Sequence, residues 1–459
     1  MTRLPSLLAR ALAVLALAGL VAQPVAAQSQ GPSVLRDAET EALLQDLVDP
    51  LADAAGLGSG AVDIVLINDP SMNAFVAGGQ RIYIHSGTIN EADSVGEVQG
   101  VLAHELGHIT GGHINRMSEG MANAGRISLL STLLAVGAAL AGAGEAAMGI
   151  MQAGQRAALG NFLAFSRTQE ASADQAGAQY LSEAGISGRG SLTFFERLQS
   201  YEFRRGISQD RENEYARSHP MTGQRLATLR EGYEADRAWA APDDAALQQR
   251  FERVKAKLFG YLAEPERTLQ YYPIYLDTVP ARYARALAYH KDARMDDALA
   301  EVGTLVSLEP DNPYFLELEG QILLESGQVP QSLAPLREAT RLTGSNPLIA
   351  SMLGHALLAT DDPANLDEAE SVLRAAVGRD RENPFAWYQL GVVYGLRGDQ
   401  PRARLASAEQ QVMSGNPQAA MMNAQAAEAG LEPYTADWIR AQDVQLQARG
   451  MLEQMAERN

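Results

Sequence analysis

The chain has no cysteine and is poor in basic residues. Among 459 residues there are 37 Lys and Arg against 56 Asp and Glu, a formal net charge of −19. Nucleic-acid binding needs clustered cations facing phosphates, so this balance argues against a nucleic-acid partner. Without cysteine no disulfide can form, and packing alone must hold the fold. Long apolar runs are also scarce, and two come close. The first, ALAVLALAGLV at residues 11–21, follows Arg3 and Arg10 and precedes the small residues Val25-Ala26-Ala27. That order is the one a secretory signal uses, with cleavage expected after Ala27 and the mature chain exported. An uncleaved anchor helix is the competing reading, though the apolar core is short for a span. The second run, residues 127–144, has no charge over 18 positions. Its many Ala and Gly keep it only modestly hydrophobic. A transmembrane or surface-inserting hairpin competes with a buried helix pair, and the expectation is a helix that packs against the protein and can touch a membrane surface, in preference to a true span.

What is present suits a globular chain of two to four domains: 46% hydrophobic residues, 20% charged, and abundant Ala and Gly for close helix packing. Leu35, Leu43, Leu44, Leu47 and Leu51 predict a first helix over 33–57. VDIVLI and RIYIHS, with NAFVA between them, predict a small sheet of about three strands. Ser94 and Glu97 have capping-box spacing and open a helix that Gly111-Gly112 closes. From residue 279 the dipeptide Asn-Pro recurs, with prolines at 313, 347, 384 and 417. Steps of 33–37 residues match tetratricopeptide repeats, and these dipeptides are taken as unit ends. Trp387, Leu390, Gly391, Tyr394 and Ala403 occupy the large and small positions such units pack with.

The chemistry concentrates in VLAHELGHITGGH, residues 101–113. His104 and His108 are four apart and share a helix face, so two imidazoles can chelate one ion. Glu105 beside the first ligand is the general base of the H-E-x-x-H arrangement. The set needs a third ligand. RTQEASADQAG offers Glu170, with Asp174 one turn on to accept the free N–H of a ligating histidine. The plain alternative is that both acids solvate an exposed helix face. His113 lies beyond two glycines and cannot share the face of His104 and His108.

HELGH, then SRTQEASAD about sixty residues on, after NAFVAGGQRIYIHSG, resembles the HtpX and CAAX-prenyl-protease family of zinc metallopeptidases. With a signal segment and C-terminal repeats, the domain order resembles its periplasmic, BepA-like branch. The resemblance implies Zn2+ on His104, His108 and Glu170, a gluzincin-type set, with Glu105 catalytic. It implies that Asn73, Ala74 and Phe75 begin a strand beside the cleft where an extended substrate pairs. It includes a His-Pro element near the site, here His219. That histidine either stabilises an oxyanion or ligates zinc and caps it. Relatives often carry a polar or basic residue where this chain has Gly112. The implied fold class is mainly α: an α+β zincin-like domain with a small sheet, then an α-solenoid. Domains are expected at 1–27 (signal), 28–240 (metalloprotease, with an apolar insertion at 127–155), 241–278 (linker helices) and 279–459 (repeats and caps). The implied role is periplasmic: degrading misfolded envelope proteins and assisting outer-membrane protein assembly, with the assembly machinery met through the repeats. A non-proteolytic chaperone or scaffold is the alternative.

Overall fold

The structure is a computed structural model that describes residues 33–140, 144–205, 219 and 223–458. Residues 1–27, where a signal segment is expected, lie outside the described residues. The fold is mainly helical, with one small sheet near the start and a helical repeat array after it.

Residues 33–35 form a strand, β1, where the sequence suggested helix. The first helix, α1 (Ala38–Ala54), starts at Asp37, whose carboxylate accepts the Thr40 N–H. Its buried face is Leu43, Leu44, Leu47, Val48 and Leu51. The sheet therefore has four strands, with β2 (Asp63–Asn68), β3 (Ala74–Val76) and β4 (Arg81–His85) in the order β1-β2-β4-β3. The β2–β4 pair is parallel and both edge strands are antiparallel to their neighbours. β3 pairs with β4 on one side, so its other side is a sheet edge.

After a short helix α2 (Ser86–Glu91), α3 (Val95–Thr110) carries the histidine motif and buries Val98, Val101, Leu102 and Leu106. Ser94 is its N-cap, yet its side chain makes no capping bond. Glu97 instead accepts the Asp93 N–H and an Arg197 guanidinium, while Gln248 accepts the Val95 N–H. A partner from a distant helix has replaced the local box. The helix ends at Gly111, and Gly112 takes φ +62°, a left-handed turn that favours glycine. A polar side chain at 112 would meet open space but strained backbone.

Two long helices follow, α4 (His113–Leu140) and α5 (Gly144–Glu183), packed on each other as a hairpin. No helix among the described residues is long and apolar enough to cross a membrane. α5 also packs tightly on α3. A Cβ on Gly107 would sit 2.6 Å from the Ala173 carbonyl oxygen, and one on Gly177 would sit 2.9 Å from that of Ala103. Only glycine at these crossings lets the two backbones come so close. Helix α6 (Arg189–Arg205) adds Leu192, Phe194, Phe195 and Leu198 to the core, and α7 (Gly223–Glu234) adds Leu226 and Leu229. Helix α8 (Ala245–Leu262) falls where linker helices were expected, and its Phe251, Val254 and Leu258 join that same core. After α9 (Pro265–Tyr271) the repeats begin.

The repeats are antiparallel helix pairs: α10 (Val279–Lys291) with α11 (Met295–Leu308), α12 (Pro313–Glu325) with α13 (Val329–Leu342), α14 (Pro347–Ala359) with α15 (Leu366–Arg379), and α16 (Pro384–Leu396) with α17 (Gln400–Met413). Helices α18 (Pro417–Gly430) and α19 (Ala436–Arg458) close the array. The Asn-Pro dipeptides open helices and do not mark unit ends. Asn312, Asn346, Asn383 and Asn416 are N-caps whose side chains accept from Tyr314, Leu348, Ala386 and Ala419. Each following proline sits in the first helical turn, where its missing N–H costs nothing.

Array and first core are joined by charge. The buried Glu39 carboxylate accepts from Arg253 and from the Tyr283 hydroxyl (2.9 Å), and Lys257 lies 3.5 Å away while also pairing with Asp37. Glu317 on α12 shares this pocket. Burial, with Asp37 and Glu39 nearby, pushes its pKa up to about 7 against the opposing pull of Lys257. The folded chain therefore holds a proton that the unfolded chain releases near 4.5, so stability falls as pH rises through that interval. Glu317→Gln is expected to flatten the decline and raise the melting temperature above about pH 7. Thermal melts of both proteins across that range check it, and parallel curves would refute the assignment.

Candidate metal centre

His104, Glu105 and His108 lie on α3 and are buried. Glu170 and Asp174 lie on α5, also buried, so these acids are not a solvated face. The α3–α5 crossing brings the two sets together. His104 Nε2 is 3.1 Å from His108 Nε2 and 3.4 Å from Glu170 Oε2. His108 Nε2 is 3.5 Å from Glu170 Oε1. His219 joins them: its Nδ1 is 3.1 Å from Glu170 Oε1 and 3.4 Å from His104 Nε2. His104, His108, Glu170 and His219 thus each offer one ligand atom to a common point. A tetrahedral ion with bonds of about 2.0–2.1 Å sets its ligands about 3.3–3.4 Å apart. The observed separations straddle that edge length, so the residues fit a metal ion.

The surrounding side chains orient these four. Asp174 Oδ1 is 3.0 Å from His104 Nδ1, the nitrogen that faces away from the cluster. Asp174 is itself held by Arg225, at 2.7 and 2.8 Å, and the same guanidinium reaches Glu170 Oε2 at 3.1 Å. His113 Nδ1 lies 3.0 Å from His108 Nδ1. The left-handed turn at Gly112 puts His113 behind a ligand, off the shared face. His219 Nε2 is 3.7 Å from Glu105 Oε1. His85 is buried beside Ser71 and edge-on to Phe75, while His290 and His355 pair with Glu325 and Gln389 in the repeats.

Electrostatics favours a cation here. Burial disfavours charge on His104, but Asp174 and Glu170 outweigh it and push its pKa up to about 10. At His108, burial and then the neighbouring His104 and His219 drive it down to about 2. Glu170 is held far below the carboxylate range: burial opposes ionisation, yet hydrogen bonds from His104 and His219 prevail. Asp174 is also lowered against burial, by Arg225 and His104. Without an ion, the cluster keeps a proton on one imidazole to balance its acids.

Sequence reasoning missed Arg225 altogether. The available signal was an arginine six residues past His219, in a segment facing two acids on one helix face. Asn73 is buried just before β3, and Ala74 and Phe75 lie in it, with β3 packed on α3. The strand expected beside the cleft is therefore adjacent to the motif helix. Pro220 lies outside the described residues.

A buried cluster of two imidazoles and a carboxylate on crossing helices that carry H-E-x-x-H, joined by the His219 imidazole, defines a metallopeptidase. Residues 38–232 match the model of Peptidase family M48. The chain is similar to the beta-barrel assembly-enhancing protease of Escherichia coli (strain K12), at 25% identity over 361 residues, 76% of this chain and 71% of that protein. It also resembles metalloprotease LoiP of the same organism, at 31% identity over 168 residues, 36% of this chain and 60% of that one. Among solved structures, the chain is similar to YrrB, a TPR protein with an unusual peptide-binding site, at 21% identity and a TM-score of 0.32, over 38% of this chain and 91% of that one.

Asp174→Asn is expected to lower metal affinity about 10–100-fold, because it weakens the acceptor that fixes the His104 ring. Competition with a chromogenic chelator measures this. Unchanged affinity would mean that Asp174 serves Arg225 alone.

Proposed function

We propose that this chain is a zinc-dependent endopeptidase of the bacterial envelope that cleaves misfolded or misassembled envelope proteins and assists outer-membrane protein assembly. The observation that carries this reading is the convergence of His104, His108 and Glu170 at 3.1–3.5 Å beside buried Glu105. The nitrogen-rich, tetrahedrally spaced set favours zinc. The similarity to assembly-enhancing proteases supports the setting, and the signal-like residues 1–27 support export to the periplasm.

A bound zinc would supply Lewis acidity, polarising the scissile carbonyl and making water acidic near neutral pH. In this reading His104, His108 and Glu170 hold the ion, and Asp174 and His113 set the ring orientations. Glu105 takes the proton from the attacking water and gives it to the leaving amine. The free edge of β3, from Asn73 through Phe75, takes the substrate as an added strand by main-chain pairing. The repeat array offers the concave surface on which substrates or assembly partners dock.

His219 has two roles in contention, and its geometry favours one. Its Nδ1 stands among the ligand atoms, where a fourth ligand would exclude water from the ion. In this reading His219 is a cap that keeps the peptidase latent, and it leaves when substrate is engaged. His219→Ala is expected to increase cleavage of an unfolded protein such as casein. Lost cleavage with metal retained would instead assign His219 to the oxyanion. Glu105→Gln is expected to keep its metal while hydrolysis falls about 10²–10⁴-fold. Full activity in that variant would overturn the peptidase assignment. A Glu105→Gln strain with an intact envelope would make the scaffold role the principal one.

A further inference from the structure

The α4–α5 hairpin is packed inside out. Its two helices meet through small residues: Ser131 abuts Gly154, and Ala135, Ala147 and Ala158 are buried. Large apolar side chains of its distal half face away. Leu129, Leu130, Leu133 and Leu134 on α4 are 56–62% exposed, and Met148, Leu159 and Leu163 on α5 are exposed with them. A hairpin made for water would bury the leucines and expose the small residues. Small residues between helices with leucines outward is the arrangement of helices packed in lipid.

Charge marks a level on this hairpin. Between Arg126 and Arg156 the sequence contains one charged residue, Glu145. The Ser131–Gly154 contact sets the pairing and puts Arg126 and Arg156 within about one helical turn of the same height. Both are exposed. Beyond them α4 continues for about 21 Å to Leu140, and α5 returns over about 18 Å from Gly144. That length falls well short of a bilayer, and a tilted hairpin of this length fits within one leaflet's hydrocarbon, about 15 Å. Closer to the metal centre, exposed Arg116 and Arg167 outnumber Glu119. On a chain of net charge −19 this basic excess is local to the hairpin.

We propose that the distal half of the α4–α5 hairpin inserts into one leaflet of a membrane with anionic headgroups, with Arg126 and Arg156 at the headgroup level. Leucines on the outer faces enter the acyl region, and the arginines stay with the phosphates. Glu170 lies fourteen residues past Arg156 on α5, so the metal centre rides about 21 Å from the headgroups. This holds whether or not the chain hydrolyses peptides.

The test is flotation of the full chain with phosphatidylethanolamine–phosphatidylglycerol vesicles. Wild-type protein should float, and less so with phosphatidylcholine alone or at high salt. The combined Leu130→Gln, Leu133→Gln, Leu134→Gln variant should bind at least about tenfold less, with an unchanged melting temperature. Should that variant fail to fold, Arg126→Glu with Arg156→Glu, which leaves the apolar tip intact, is expected to lose the preference for anionic vesicles. The proposal is overturned by wild-type protein that does not float, or by flotation that neither variant changes. It is also overturned if the leucines hold a dimer in solution that the glutamine variant dissolves while vesicle binding is absent, for then a second copy covers the face. Loss of unfolded-polypeptide capture in that variant, without vesicle binding in the wild type, would give the face to substrate.

Discussion

The close crossing of α3 and α5 is the constraint on which the rest depends. Gly107 and Gly177 remove two side chains from that crossing, and the helix backbones come within carbonyl contact of Ala173 and Ala103. A carboxylate on α5 can then reach imidazoles on α3. Had either position carried a methyl group, the helices would separate, and donor atoms spaced for one ion would no longer share a centre. Glu170 and Asp174, one turn apart, serve different nitrogens of the same ring: Glu170 faces His104 Nε2 and Asp174 faces Nδ1. One helix thus supplies both the carboxylate at the cluster and the carboxylate that holds the His104 ring.

From this crossing the other features extend along continuous helices. α5 runs without a break from the exposed leucines of the hairpin to Glu170 and Asp174. α3 turns at Gly112 directly into α4, which places His113 behind His108. Arg225, on a helix that packs on α5, clamps both acids and lies six residues past His219. His219 and Arg225 both reach the Glu170 carboxylate, so the two side chains meet at that group. The charged joint of Glu39, Lys257, Arg253 and Tyr283 ties the first core to the repeats at a separate place.

What could be read in the sequence was local. The spacing of His104 and His108 is a helix property, as is that of Glu170 and Asp174, and the repeat period follows from the recurring Asn-Pro starts. Features set by tertiary contact were not legible. The three residues of β1 exist because β2 offers an edge, and no periodicity shows in so short a run. Ser94 has the sequence of a capping box, but from distant helices Arg197 engages the Glu97 carboxylate and Gln248 accepts the Val95 N–H. Arg225 and His113 acquire their partners only when separate helices meet. The apolar run at 127–144 suggested contact with a surface, but which side chains face outward depends on its pairing with α5, which composition does not specify.

The central claim is that one transition-metal ion is gripped by His104, His108 and Glu170. Metal content of the purified chain, with X-ray absorption at the zinc edge, tests it most directly. The account predicts about one zinc per chain with nitrogen and oxygen neighbours near 2.0–2.1 Å, lost when His104 and His108 are both replaced by alanine. A metal-free chain, or zinc retained at full occupancy after both histidines are removed, would contradict it.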